Sequence, residues 1–202
     1  MTAVRLARAA TGRDGVIVAH GSYHGTSEVA LVAGGEAYTR GVPQGVRDDI
    51  TVLPVNDVDG LTAAFEAAPE RHAAVLVDLL PNRAGLVPVS RAFVERAREL
   101  TARHGALLIV DEVISLRLGL GGLASTYGIE PDLVTVGKII GGGFPAGAVI
   151  GTADAMRLLD PTVPGGLQHS GTFTANPVTM AAGAASLRLL DERAIARLNG
   201  LG

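Results

Sequence analysis

Short apolar segments alternate with helical segments along most of this 202-residue chain. Strands of a parallel sheet that is buried on both faces have such near-continuous apolar sequences. Strands with one solvent-exposed face alternate apolar and polar residues instead. The pattern therefore predicts an α/β fold, a mostly parallel sheet with helices on both faces. The predicted strands cover residues 16–19, 50–55, 74–79, 107–110, 133–136 and 148–150.

The helical segments carry recognisable start and stop signals. Ser90 is a favourable N-cap residue, and Gly105 follows the last apolar position of the same segment, so a helix is predicted between them. The pair Asn176-Pro177 predicts the start of the last long helix, which runs to residue 190. Residues 4–10 have the pattern of an amphipathic helix, and a further helix is predicted from residue 61 to near Pro69.

Composition excludes several classes of protein. The net charge of −3 provides neither the basic surface typical of nucleic-acid binding nor a polybasic membrane patch. The chain has no cysteine, which excludes a disulfide framework and thiolate metal ligands and suits the reducing cytoplasm. No apolar run approaches the roughly 18 residues of a membrane span, and no signal peptide is predicted. We expect a cytoplasmic protein with no nucleic-acid or membrane partner.

The chain has one lysine among its 17 basic residues, Lys138. It follows an apolar segment and precedes the glycine cluster 141–143, a position unlike that of a solvated surface lysine. Burial disfavours the charged form of an amine, and the neutral amine is a nucleophile that forms Schiff bases with aldehydes. A chain that uses arginine almost exclusively can also retain one lysine by chance, so the other residues near it must distinguish a reactive amine from a chance lysine.

A second ionisable residue, Asp111, ends another predicted strand. Open α/β sheets bind ligands outside the carboxyl ends of their strands, which places Asp111 and Lys138 on the same edge. An amine that holds an aldehyde and an acid that pairs with a pyridine nitrogen suit pyridoxal 5′-phosphate (PLP). The alternative for Asp111 is an ordinary capping or loop carboxylate.

Other short motifs carry little weight. Gly119 to Ala124 spell G-x-G-x-x-A, but residues 111–118 separate this motif from the preceding strand, which weakens a nucleotide-binding oxidoreductase interpretation. Gly137-Lys138 lacks the earlier glycine and the Ser/Thr of a phosphate-binding P-loop. His20 and His24 are spaced for one helix face, but the glycines between and after them disfavour a helix, and no metal site is predicted.

Four segments together resemble the class III (subgroup II) PLP-dependent aminotransferases of fold-type I, closest to the branch that contains glutamate-1-semialdehyde aminomutase. LLIVDEVI at 107–114 is similar to the family strand that ends in D-E-V. PDLVTVGKIIGGGFPAGA at 131–148 resembles the lysine segment throughout. GSYHG at 21–25 and HSGTFTANP at 169–177 are similar to the segments that contact the PLP ring and phosphate.

The resemblance implies a role for each matching residue. Lys138 would form the Schiff base and act as general base, and Asp111 would pair with the pyridine nitrogen. Val113 and Tyr23 would cover the two faces of the ring, and Thr172 would reach the cofactor phosphate across a homodimer interface. The implied cofactor-binding residues are Tyr23, His24, Asp111, Val113, Lys138 and Thr172. Simple alternatives are core packing for Val113, a loop aromatic for Tyr23 and a helix cap for Thr172.

The chain also departs from the family pattern. Members are longer, so residues 1–202 would correspond to the large PLP-binding domain, truncated at both ends. The turn that binds the phosphate would lie before Met1, and the smaller C-terminal domain would be absent. Asp78, a shorter side chain at the end of the strand, stands where many relatives have Glu.

These observations favour PLP-dependent amino-group transfer, of the aminotransferase or 2,1-aminomutase type, between small-molecule amino donors and acceptors. We expect impaired catalysis in a truncated chain. The alternative is a catalytically inactive PLP-fold fragment that acts as a binding or dimerisation module.

Overall fold

All six predicted strands form in the computed structural model, which describes residues 1–201. They are β1 (Gly15–Ala19), β2 (Ile50–Leu53), β3 (His72–Asp78), β4 (Leu107–Asp111), β5 (Leu133–Gly137) and β6 (Gly147–Gly151). They make one sheet in the order β2-β1-β3-β4-β5-β6, in which β5 and β6 are antiparallel and the other neighbours are parallel. The predicted mostly parallel α/β fold is confirmed.

Helices connect these strands. The α-helices are α1 (Thr2–Thr11), α2 (Glu28–Val32), α3 (Glu36–Thr39), α4 (Gln44–Asp48), α5 (Val58–Ala67), α6 (Arg91–His104), α7 (Ala124–Tyr127), α8 (Ala153–Met156), α9 (Pro177–Leu189) and α10 (Glu192–Asn199). Short 3₁₀ helices cover Asn82–Ala84, Ser115–Leu118, Lys138–Gly141 and Arg157–Leu159. Within residues 1–201 no helix has both the length and the apolar character needed to cross a bilayer.

The sheet is buried on both faces because alternate residues of its central strands point into two separate cores. Val16 and Val18 pack in one core with α1, and Ile17 packs in the other with α5 and α6. In the central strands β1 and β3 every residue is buried, which explains why their sequences are apolar without alternation. The edge strand β6 is largely exposed.

The predicted helix signals act locally. The Ser90 hydroxyl accepts a hydrogen bond from the Phe93 backbone N–H at 3.2 Å, and Gly105 adopts φ 65° just after α6. The Asn176 side chain caps α9, whose first residue is Pro177. Strand β2 ends at Leu53, two residues earlier than predicted, because Pro54 has no N–H to donate to a neighbouring strand.

The strand order brings polar residues together at one edge of the sheet. After β1 the chain moves outward to β2 and then crosses back to β3 on the other side of β1. Ligand sites of open α/β sheets lie outside the carboxyl ends of the strands, next to such a reversal of strand order. The segments that follow β1, β3, β4 and β5 all meet at this edge.

Candidate active site

Three polar residues form a row across the carboxyl edge of the sheet. Asp111 is the last residue of β4, and it pairs in register with Asp78 of β3 on one side and with Thr135 of β5 on the other. Residues in register on parallel strands project from the same face of the sheet. The row therefore places two carboxyl groups and a hydroxyl group side by side, just before the turns that end these strands.

Asp111 is buried and well supplied with hydrogen bonds. Its Oδ2 lies 2.8 Å from Nδ1 of His24, and its Oδ1 accepts a hydrogen bond from the Val113 backbone N–H at 3.1 Å. Burial by itself raises the pKa of Asp111, but the hydrogen bond and charge of His24, the Val113 N–H and the Thr135 hydroxyl together hold it below its ordinary value. The carboxylate is thus kept ionised although it is largely buried.

The pKa of the neighbouring Asp78 is shifted in the opposite direction, upward. Burial raises the pKa of its carboxyl group, and the nearby charge of Asp111 raises it further, while the Leu80 N–H and His24 act against both. The two carboxyl groups lie close to the same imidazole, and His24 forms its hydrogen bond with Asp111. The row therefore holds one carboxylate that stays ionised and one that resists ionisation.

Lys138 follows β5 directly and begins a 3₁₀ turn with a left-handed backbone, φ 48°. This conformation is uncommon for a residue with a side chain, and strained backbone conformations of this kind cluster at functional sites. The side chain is exposed in this chain. Its place after an apolar strand and before the glycine cluster did not lead to burial, because the strand ends at the open carboxyl edge of the sheet and residues 1–201 leave Lys138 exposed there.

A cavity of about 600 Å³ opens above the row. Its walls include five of the six residues that the sequence singled out for a cofactor: Tyr23, His24, Asp111, Val113 and Lys138. Val113 packs its methyl groups toward Gly137, the residue before the lysine, where an added Cβ would lie 3.3 Å from Val113 Cγ1. Lys138, Asp111 and Val113 thus share one wall, although 27 positions separate Asp111 from Lys138 in the sequence.

Tyr23 and His24 reach the cavity from the loop after β1. The guanidinium carbon of Arg83 lies 4.2 Å from the centre of the Tyr23 ring and 5.0 Å from that of Tyr38, so a cation stacks on the tyrosine. The His24 side chain is only 3% exposed. Its Nε2 is buried without a hydrogen-bond partner among residues 1–201.

Thr172 does not join the other five residues. It is exposed and does not line the cavity of its own chain. The Asn176 side chain caps the helix that follows, so the alternative of Thr172 as the cap of α9 was wrong. The role that the resemblance implies, contact with a cofactor of a partner subunit, stays a prediction.

Three further residues that were not predicted as site residues also line the cavity: Asp78, Thr135 and His169. Asp78 and Thr135 are polar residues inside otherwise apolar strand segments, a signal that the sequence contains. His169 comes from an irregular loop and is the first residue of the segment 169–177, in which the resemblance implied a role only for Thr172.

Glu112 anchors the turn that carries Val113. It is 1% exposed, and its carboxylate accepts hydrogen bonds from the Ser115 hydroxyl at 2.5 Å and from the backbone N–H groups of Leu123 and Ala124 at 3.0 and 2.7 Å. These two N–H groups belong to the glycine motif 119–124. A dinucleotide phosphate would need such groups at a helix start, but the carboxylate occupies them, which argues against the oxidoreductase interpretation.

A parallel sheet that presents an amine and an ionised carboxylate to one cavity at its carboxyl edge has the arrangement of fold-type I PLP-dependent enzymes. The family model for class III aminotransferases matches residues 1–198. The chain belongs to this family, and the family and fold predicted from the sequence are confirmed.

Individual relatives agree with this assignment. The chain is 44% identical to the glutamate-1-semialdehyde 2,1-aminomutase of Aeropyrum pernix in an alignment of 203 positions that covers 96% of this chain and 47% of that protein. It is 47% identical to an omega-transaminase from Sphaerobacter thermophilus, with a TM-score of 0.89 over 95% of this chain and 47% of that one. A transaminase solved with PLP bound is 38% identical, with a TM-score of 0.91, over 96% of this chain and 47% of that one. The chain spans about half the length of the curated relatives that it matches.

Proposed function

We propose that this protein transfers amino groups with PLP, as an aminotransferase or a 2,1-aminomutase, and that Lys138 and Asp111 are its catalytic residues. PLP is the cofactor of the family to which the chain belongs. The observation that carries the proposal is that the one lysine of the chain and a buried carboxylate with a lowered pKa face the same cavity from neighbouring strands. The substrates would be small amino donors and acceptors.

The residues around the cavity fit this cofactor. A pyridine nitrogen needs an ionised carboxylate to remain protonated, and Asp111 is buried yet held ionised by three donors. The aldehyde needs an amine that can reach the same space, and Lys138 lines it. A volume of about 600 Å³ lies within the usual range for cofactor and substrate sites, roughly 300–1,000 Å³.

When bound, PLP supplies an electron sink for the carbanion that forms at the substrate carbon. The residues of the chain would do the rest. Lys138 would hold the cofactor through its aldehyde, and its free amine would move a proton to and from the substrate carbon. Asp111 would favour the protonated form of the ring nitrogen, and His24 fixes the position of Asp111. Val113 and Tyr23 would pack on opposite faces of the ring.

We also propose a homodimer in which Thr172 contacts the cofactor phosphate of the partner subunit. The exposure of Thr172, its absence from its own cavity and the exposure of the neighbouring Phe173, at 81%, support this arrangement. A cytoplasmic location stays a prediction from the cysteine-free composition. No observation on residues 1–201 specifically favours the inactive binding or dimerisation module.

The test is to incubate the protein with PLP, reduce it with borohydride and map the pyridoxyl group by peptide mass spectrometry. We expect the group on Lys138. Because the chain has no other lysine, the N-terminal amine is the internal control, and label confined to that amine would contradict the assignment. Half-transamination with a panel of amino acids, measured on this chain and on a version extended at both ends, then tests amino-group transfer itself.

A further inference from the structure

Helix α9 packs against the turn that carries Lys138 through backbone atoms. Gly183 is the buried residue of α9 at this contact, and a Cβ built on it would overlap the carbonyl oxygen of Ile140. On the opposite side, a Cβ built on Gly142 would overlap the carbonyl oxygen of Ala182. Two glycines, one on each element, therefore allow an approach that no other residue would permit.

The turn needs such support because its backbone is unusual. Lys138 adopts φ 48°, and Gly142 and Gly143 follow at φ 59° and 94°. A residue with a side chain keeps a left-handed conformation only where the surrounding structure holds it there. The 3₁₀ helix Lys138–Gly141 is a single short turn, so its own hydrogen bonds provide little rigidity. Packing against the 13-residue helix α9 provides a rigid surface.

We propose that Gly183 and Gly142 form a backbone lock that fixes the position of the Lys138 amine, and that Gly183 is a positioning residue for it. The lock acts through the path Gly183, Ile140 carbonyl, Lys138, and Gly183 itself does not line the cavity. A methyl group at Gly183 must displace the turn, since the atom it meets is backbone and cannot rotate away. This inference rests on the proposed function for the importance of Lys138, but not for the geometry.

The first variant is Gly183→Ala. In an ordinary helix this change is favourable because alanine has the higher helix propensity. The matched control is Gly45→Ala in α4, where the new Cβ has nothing within 4 Å. Reductive methylation with ¹³C-formaldehyde gives one NMR signal for Lys138 and one for the terminal amine, because the chain has a single lysine. We expect Gly183→Ala to move the Lys138 signal and Gly45→Ala to leave it in place.

The second measurement is the rate at which Lys138 captures PLP, followed by borohydride trapping. A displacement of about 1 Å at a reacting group can lower a rate by about 10²-fold, and we expect a loss of this order for Gly183→Ala and none for Gly45→Ala. A second variant, Gly142→Asn, separates overlap from backbone strain, because asparagine tolerates left-handed φ angles. Its control is Gly105→Asn, at φ 65° with nothing within 4 Å of the new Cβ.

The outcomes separate cleanly. Moved Lys138 signals and slow capture in folded Gly183→Ala and Gly142→Asn, with unchanged controls, support the lock. An unchanged Lys138 signal in both variants overturns it, as does global unfolding of both, since the contact would then support the whole domain rather than the lysine turn. Should the wild-type chain fail to capture PLP at Lys138, the proposed function fails, but the NMR signal still decides the lock.

Discussion

The turns after β4 and β5 are neighbours in space and carry complementary parts of the candidate site, yet they are held in opposite ways. The turn after β4 begins at Glu112, whose buried carboxylate accepts hydrogen bonds from one hydroxyl and two backbone N–H groups. The turn after β5 begins at Lys138, and within residues 1–201 no side chain anchors it in this way. It is held by the close approach of backbone atoms that Gly142 and Gly183 allow.

The difference follows from what each turn has to present. Asp111 and Val113 offer a fixed charge and a fixed apolar surface, and a dense hydrogen-bond network suits fixed groups. In the proposed function Lys138 would change partners during amino-group transfer, so its long side chain would have to stay free while its backbone is fixed. Glycine packing fixes a backbone without placing any polar group in competition with the amine.

The largest expected effect comes from Asp111→Asn, which removes the charge at the first turn and keeps its shape. Proton abstraction from a bound amino acid should slow by about 10²–10⁴-fold, because the ring nitrogen loses the ion that keeps it protonated. Exchange of the substrate hydrogen for deuterium, followed by NMR, measures this rate. Asp154→Asn, on an exposed helix, serves as the control. An equal fall in the rate of PLP capture by Lys138 would contradict the proposed difference between the two turns.

Glu112→Ala should lower the stability of the folded protein. The change leaves the N–H groups of Leu123 and Ala124 and the hydroxyl of Ser115 without their acceptor, and each buried unsatisfied group costs about 1–3 kcal/mol. We expect the free energy of unfolding to fall by about 3 kcal/mol in chemical denaturation. Glu112→Gln should lose less, and Glu130→Ala, at an exposed position, should lose almost nothing. A loss no greater than that of Glu130→Ala would show that the carboxylate does not hold the first turn.

His24→Phe should lower the free energy of unfolding by about 2 kcal/mol near neutral pH, the usual contribution of a hydrogen bond to a charged group. The pKa of Asp111 is lowered in the folded state. Its stabilising contribution is therefore present above its ordinary pKa and is lost as the pH falls through the lowered folded value. The difference between wild type and variant should shrink on acidification, measured by urea denaturation at several pH values. His20→Phe is the control, since His20 is exposed. A difference that is constant with pH would show that His24 does not stabilise the ionised form of Asp111.

The smallest effect is expected from Asp78→Asn, and its sign is opposite. The raised pKa of Asp78 means that its ionised form costs stability in the folded state, a cost that is present above the folded pKa and disappears below the ordinary one. Asp78→Asn should therefore stabilise the protein by on the order of 1 kcal/mol at neutral pH, and the gain should vanish in acid. Thermal unfolding across this range, with exposed Asp14→Asn as control, measures it. Destabilisation at neutral pH would show that the row needs both charges.

Local patterns in the sequence predicted much of this protein. The apolar segments, the Ser90 cap, Gly105 and Asn176-Pro177 act within a few residues of themselves, so their strands and helices follow without knowledge of the rest of the chain. The rule that ligands bind at the carboxyl ends of parallel strands then placed Asp111 and Lys138 on one edge. The family resemblance added Tyr23, His24 and Val113, which line the same cavity.

Other features of the site depend on contacts between residues that are distant in the sequence. The bond from His24 to Asp111 joins positions 87 residues apart, and it determines which carboxyl group of the row stays ionised. Gly183 meets the Lys138 turn across more than 40 positions, where no helix pattern distinguishes a packing glycine from a weak point in the helix. The exposure of Lys138 also follows from the tertiary structure, because burial depends on which other elements enclose a side chain. Periodicity and capping are local properties of a chain, whereas burial, pairing and close backbone approach exist only once the strands have taken their order in the sheet.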